Sequence, residues 1–390
     1  MEGNFFFLIF AGMKQTAIFT LTSVLNDQQA VDTAINDFLS DLGVDYDLKG
    51  EDYTEYGKYA LNIIYICTGG TEYKFVNMLP ELRTKSKAPF YLLTSGKWNS
   101  LAASLEILSF LRQQGIGGEV IHGDHEYVCR RLHILEKAGQ ARQTLRGARA
   151  GIIGKPSDWL VASHADRGRI KECLGIDLLD IPMDELFEAL PVNKSIYAAL
   201  LTLIDRHRLQ GFTLRCFDLI NTLHDTGCLP LARLNAQGYV AGCEGDVPSM
   251  ISMMIVRSLT GVSGFLANPA SINSETGELL FAHCTIPLDM VERYELGTHF
   301  ESGIGTGVRG FMKEGPVTVF KVSGDLSQHY IAEGKLVMNL DLPDICRTQQ
   351  LLQLDDRRQA TYFLSEPIGN HHIIIPGHHR ELLEEMVKSF

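Results

Sequence analysis

LNIIYICTGG, residues 61–70, decides how the first third of the chain is read. It is a short isoleucine-rich run that ends on two glycines, the pattern of a strand covered on both faces and stopped at a turn. Upstream, AIFTLTSVL (17–25) reads as a second buried strand, and DQQAVDTAINDFLSDLG (27–43) has helical spacing that ends on Gly43. Downstream, FYLLTSG (90–96) is a strand, SLAASLEILSFLRQQG (100–115) a helix stopped by Gly115, and GEVIHG (118–123) a closing strand. Strands of this kind alternating with amphipathic helices predict a parallel, doubly wound, flavodoxin-like domain over 13–147.

The same alternation resumes after a basic helix around Arg130–Arg149. ARAGIIGKPSDWL (148–160) reads as strand, glycine turn and helix start. IDLLDIP (176–182) is a strand, MDELFEAL (183–190) and SIYAALLTLIDRHRLQG (195–211) are helices, and FTLRCFDLI (212–220) is a buried strand. GCEGD (242–246) then leads into VPSMISMMIVRSLTG (247–261), a strongly apolar helix closed by Gly261. A second Rossmann-like domain over 148–264 is expected. From Phe265 the character changes: ELLFAHCTIPL, GPVTVFKVSG, YIAEGKLVMNL and ATYFLSEPIG read as strands separated by turn residues, without helices between them. A β-rich, barrel-like domain over 265–390 follows, with a terminal helix at 380–390.

Composition narrows the function. The chain has 390 residues with 45% apolar residues, and 47 acidic against 35 basic residues give a formal charge of -12. That balance argues against a nucleic-acid partner, which needs a concentrated basic surface. Eight scattered cysteines without a C-x-x-C pair read as reduced thiols, and a cytoplasmic location is expected. No stretch reaches transmembrane length, so no membrane partner is expected. The apolar run Phe5–Phe10 lacks a basic n-region, and Met13 reads as the natural start.

Gly69-Gly70 and Gly151–Gly154 with Lys155 match no phosphate-loop pattern, and no G-x-S-x-G elbow occurs. Four other places offer chemistry. Glu244 and Asp246 sit in a glycine turn at a strand-to-helix junction, where carboxylates suit Mg²⁺ or Mn²⁺ and where Asp246 equally suits a helix cap. His371 and His372 precede an apolar run, and because they are adjacent in a strand only one can face a given pocket. His283 and Cys284 lie in an apolar strand, and His299 and Glu301 precede glycines that let backbone approach a ligand closely.

The ordered series PSDWL (156–160), RCFD (215–218), GCEGD (242–246), FLANP (265–269), AHCTIPL (282–288), HFESGIG (299–305), CRTQ (346–349) and GNHH (369–372) resembles the L-fucose isomerase / L-arabinose isomerase superfamily, specifically its fucose-isomerase-like members. The likeness covers nearly the whole chain after Met13. It implies Mn²⁺-dependent (or Mg²⁺-dependent) aldose–ketose isomerisation through an enediolate, and a homo-oligomer, trimer or hexamer. It also implies a metal set drawn from Glu244, His283 and His371 or His372. Asn268, His283, His299, Glu301 and Arg347 are the residues expected to meet a small-molecule carbohydrate. Glu244 and the residue at 268 would carry the catalysis. Asn268 stands where fucose isomerases carry aspartate; an amide can ligate or bind a hydroxyl but cannot act as a base. His283, Asp246 or Glu301 is then left to supply the base. A charged substrate would call on Arg215, Arg309 or Arg347. The alternative is a non-catalytic carbohydrate-binding protein with a degenerate isomerase site.

Overall fold

A computed structural model of the chain describes residues 15–23 and 28–390. The Phe5–Phe10 run, Met13, and the end of the strand expected at 17–25 lie outside the described residues. The chain divides into two compact units at Gln143/Thr144.

The first unit holds a parallel five-stranded sheet of β1 (Thr16–Leu21), β2 (Tyr46–Gly50), β3 (Leu61–Ile66), β4 (Phe90–Leu93) and β5 (Gly118–Ile121), in the order β2-β1-β3-β4-β5. Alternate residues of the two central strands feed two cores. Phe19 and Ile64 join Phe75 and Ile107 in one, while Ile18 and Ile63 join Leu39 and Leu132 in the other. That is why these strands read as unbroken apolar runs: helices cover both faces.

The second unit begins with another parallel sheet, β6 (Arg149–Ile153), β7 (Asp177–Ile181), β8 (Gly211–Leu214) and β9 (Val240–Cys243), in the order β7-β6-β8-β9. Two sequence expectations change here. PSDWL does not start a helix; 154–166 is a loop that ends when Asp166 caps the helix Arg167–Leu174. FTLRCFDLI is not one strand either. The strand stops at Leu214 and a helix runs Phe217–Leu223. A short apolar run looks the same whether it is buried as strand or as helix, and this one is half of each.

The same unit continues into a barrel. Its strands are β10 (Phe265–Asn273) and β11 (Glu278–His283), then, after the two-stranded ribbon β12 (Arg293–Gly297) and β13 (Gly307–Phe311), β14 (Gly315–Val322), β15 (His329–Asn339), β16 (Thr348–Leu354) and β17 (His372–Pro376). The barrel closes antiparallel in the order β10-β11-β16-β15-β14-β17, with β17 pairing back onto β10. Mixed α/β architecture with two parallel sheets and a closed β-barrel is therefore what the sequence patterning indicated. ATYFLSEPIG, however, is not a strand: 357–361 is a 3-10 turn and Tyr362–Ser365 a helical turn. Its aromatic residues mimic strand propensity, but their rings pack elsewhere. Tyr362 stacks on Tyr330 at 3.9 Å and Phe363 meets Phe281 edge-on at 5.8 Å, within the barrel core.

The helix Val247–Thr260 joins sheet to barrel. Asp246 caps its start by accepting from the Ser249 amide at 2.9 Å, and Gly261 closes it in the left-handed conformation at φ +72°. Gly211 of β8 lies against Met254 on one side, while the Ser252 hydroxyl receives the Val322 amide of β14 at 3.1 Å on the other. Covered from both sides, the helix buries every residue from Val247 to Val256, which is why it is apolar all round. Among the described residues no helix is long and apolar enough to cross a membrane.

Candidate metal centre

Glu244 follows the last residue of β9, at the end of a parallel sheet where such folds place ligands. It is held at φ +62°, a conformation that few residues other than glycine adopt, and Gly245 follows at φ +70°. A Cβ on Gly245 would lie 2.5 Å from the Lys155 carbonyl oxygen, so the turn requires glycine there. The backbone is pinned from two sides. The Gly245 amide donates to the Leu214 carbonyl at 3.0 Å, and the Glu244 carbonyl accepts from the Ser157 amide at 2.9 Å. A strained acidic residue fixed this firmly aims its side chain at one place.

The barrel brings two imidazoles to that place. β10 lies between β11 and β17, so His283 at the end of β11 and His371 just before β17 come from strands on either side of it. The Nε2 atoms of His283 and His371 each lie 3.5 Å from Oε1 of Glu244. All three side chains are buried, and their ligand atoms fall within 4.8 Å of one another. His371 Nε2 and His283 Nδ1 are buried with no hydrogen-bond partner. Ligand atoms held about 2.1 Å from one ion are separated by roughly 3.0–3.5 Å, so one carboxylate and two imidazoles at this spacing fit a divalent cation.

Asp246 does not join the group; it aims it. Its Oδ2 lies 2.8 Å from Nδ1 of His371 and accepts the Ser249 hydroxyl at 2.8 Å. With Nδ1 carrying a proton toward Asp246, the His371 lone pair is on Nε2, facing Glu244. Cap and orienter are thus one carboxylate. Lys321, wholly buried, stands 3.7 Å from the same oxygen and donates to Ser249 Oγ at 2.6 Å.

The titration behaviour follows from this packing. Burial works against the charge on Glu244, but the His371 and His283 rings outweigh it and hold the carboxyl well below the ordinary range. Burial likewise opposes the charge on Asp246, and Lys321 and His371 hold that carboxyl low. Burial would lower His371, yet Glu244 and Asp246 raise the ring to about 9. A divalent cation, by replacing a proton, meets the same local excess of negative charge.

His372 belongs elsewhere, and the pair expected from the sequence resolves to one. Its Nδ1 faces the Asn370 carbonyl at 3.0 Å, and its Nε2 pairs with the Tyr362 hydroxyl at 3.0 Å. Burial, then the positive Lys321, push it down to about 3, a neutral ring with both nitrogens occupied. It is a structural residue among Phe281, Tyr330 and Phe363. Asn268 on β10 pairs with Ala282, next to His283, and its Oδ1 accepts from Asn370 Nδ2 at 2.9 Å, next to His371.

Past β12, His299 is buried, its Nδ1 3.1 Å from the Ser302 hydroxyl and its ring edge-on to Phe217. Glu301 is exposed, and burial of part of its side chain followed by repulsion from Glu244 raises its carboxyl above the ordinary range. Each of the three arginines named for a charged substrate has partners within the chain. Arg347 donates to the Thr298 carbonyl and hydroxyl, holding this loop. Arg215 binds the Pro156 carbonyl, Asp158 and Asp218, and Arg309 pairs with Asp341.

Three residues were given no role by the sequence reading, although PSDWL and RCFD contain two of them. Trp159 donates its indole N–H to Glu244 Oε2 at 2.7 Å, and Phe217 packs against it at 4.7 Å. The signal was a tryptophan in a glycine- and proline-bounded loop after a parallel strand. Lys321 showed as a single lysine inside the apolar VTVFKV, where a buried charge must find a partner.

No protein-family model matches the chain. It is similar to sulfoquinovose isomerases of Priestia aryabhattai and Priestia megaterium, each 24% identical over 262 residues, covering 58% of this chain and 59% of the relative. A sulfoquinovose isomerase of a Clostridium species is 22% identical over 228 residues, half of each chain. The chain thus spans between half and three-fifths of the curated relatives it matches.

Proposed function

We propose that this protein is a metal-dependent aldose–ketose isomerase of the fucose/arabinose isomerase type, acting on a sugar or sugar derivative. The observation that carries the reading is the convergence of Glu244, His283 and His371 on one buried point from a Rossmann-like sheet and a barrel. The similarity to sulfoquinovose isomerases supports the same reaction class. Mn²⁺ or Mg²⁺ would be held by those three side chains. When bound, it supplies positive charge next to the sugar carbonyl and its neighbouring hydroxyl, making the C2 proton acidic enough to move at neutral pH.

The chain's own residues supply the rest. Asp246 fixes the His371 tautomer, and His283 brings its Nε2 to the same Glu244 oxygen that His371 faces. Asn268 offers an amide to a sugar hydroxyl, and His299 shapes the neighbouring wall. Of the three candidate bases, His283 is spent as a ligand and Glu301 is the one left to carry the proton. Asp246 is consumed by Ser249, His371 and Lys321, and Asn268 has no basic atom, whereas Glu301 is exposed and has a raised carboxyl suited to taking and returning a proton. The enzyme is read as a homo-oligomer.

Incubation with Mn²⁺ and a panel of aldoses that includes sulfoquinovose, L-fucose and L-arabinose in D₂O tests this. Deuterium is expected at C2 of at least one sugar; absence of exchange from the whole panel leaves a binding protein. Glu301→Gln is expected to retain Mn²⁺ and lose at least about 100-fold in exchange rate. Undiminished exchange would remove Glu301 from the role. Asn268→Asp, which restores a negative charge, is expected to tighten Mn²⁺ binding, checked by titration calorimetry.

A further inference from the structure

We infer that Trp159 is the positioning residue of the metal-binding carboxylate and, through the exposed part of its ring, the floor on which the sugar rests. The inference rests on the metal-centre reading above and adds a residue that the reaction class does not by itself call for.

Three observations meet at this side chain. Its indole N–H donates to Oε2 of Glu244 at 2.7 Å, leaving Oε1 as the oxygen turned toward His283 and His371. A carboxylate tied at one oxygen presents the other in a fixed direction, which is what a ligand held by a hydrogen-bonded neighbour requires. The ring has aromatic support: Phe217 packs edge-on at 4.7 Å, and His299 packs edge-on against Phe217 at 5.7 Å. Yet the residue is 50% exposed, although tryptophan is usually well buried. An indole packed on Phe217, tied at its nitrogen to a buried carboxylate and half exposed is a surface for the C–H face of a sugar ring. Sugars present such a face because their hydroxyls point outward, and aromatic rings offer it a large apolar contact with little side-chain entropy to lose.

The loop is built to hold this pose. Arg215 ties the Pro156 carbonyl at 2.6 Å and the Asp158 carboxylate at 2.8 Å, on either side of Ser157, whose amide binds the Glu244 backbone. The tryptophan and the carboxylate it holds are therefore fixed to each other through backbone as well as side chain.

The chain has only two tryptophans, Trp98 and Trp159, so the test can be optical. In Trp98→Phe protein the remaining fluorescence reports Trp159 alone. Paramagnetic Mn²⁺ is expected to quench it with the same midpoint that calorimetry gives for wild-type protein, and a non-reacting sugar alcohol added afterwards to shift its emission to the blue. In wild-type background, Trp159→Phe keeps the ring but loses the N–H; Mn²⁺ affinity is expected to fall by about 10–100-fold with a smaller change in KM. Trp159→Ala also loses the ring, and KM is expected to rise as well. Thermal unfolding of each variant separates these effects from loss of fold. Wild-type protein that binds Mn²⁺, together with a silent Trp159 and an unchanged affinity in Trp159→Phe, overturns this inference alone. Wild-type protein that takes up no Mn²⁺ overturns both it and the proposed function.

Discussion

Glu244→Ala is expected to weaken Mn²⁺ binding by more than about 100-fold, because loss of a ligand exceeds the loss from disturbing a group behind one. In the proposed site the residue would supply the anion of a set whose other two members are neutral when they ligate. No neighbour can replace it: Asp246 is turned away to Ser249, His371 and Lys321, and Glu301 lies in the open loop after β12. Glu244→Gln keeps the shape and an acceptor oxygen, and is expected to bind more weakly than wild type and better than alanine. Calorimetric titration with Mn²⁺ separates the three proteins, and C2 exchange should fall with occupancy. Equal Mn²⁺ affinity in wild type and Glu244→Ala would place the ion somewhere else.

Asp246→Ala has the largest expected effect on stability. It removes the cap of a helix buried on both sides and leaves Lys321 without its counter-charge. Lys321 is fully buried, and burial lowers its pKa even with Asp246 beside it. Breaking a buried ion pair by removing one partner costs about 3–5 kcal/mol, with about 1 kcal/mol more for the cap. Urea unfolding should show the loss. Adding Lys321→Met, which deletes the stranded charge and keeps the volume, is expected to restore most of it, since an ion pair replaced whole by apolar side chains is often neutral. If the double variant is no more stable than Asp246→Ala alone, the buried lysine is not what Asp246 stabilises.

Much of this was legible in the residues. β1 and β3 read as buried strands because helices on both faces leave no polar side to the pattern, and the helix after GCEGD read as fully apolar because it is wedged between sheet and barrel. What misled was local composition without its partners. FTLRCFDLI and ATYFLSEPIG have strand-like content, but one turns into a helix at Phe217 and the other folds as helical turns whose rings fill the barrel core. At the site, the GCEGD turn and the adjacent histidines stood out as candidates, and the set of Glu244, His283 and His371 or His372 came from the family resemblance. Choosing His371 over His372 needed the register of β17 on β10, which sequence periodicity leaves undefined. Trp159 is 85 residues from Glu244, so its loop setting marks it as a candidate while nothing local names its partner.

Counting bound Mn²⁺ by electron paramagnetic resonance, on wild-type protein and on single-site variants, tests the centre most directly. One tight ion per chain is expected in wild type and in His372→Gln, and none at the same concentration in Glu244→Ala, His283→Ala or His371→Ala. An ion retained by His371→Ala, or one lost only when His372 is changed, would contradict the assignment.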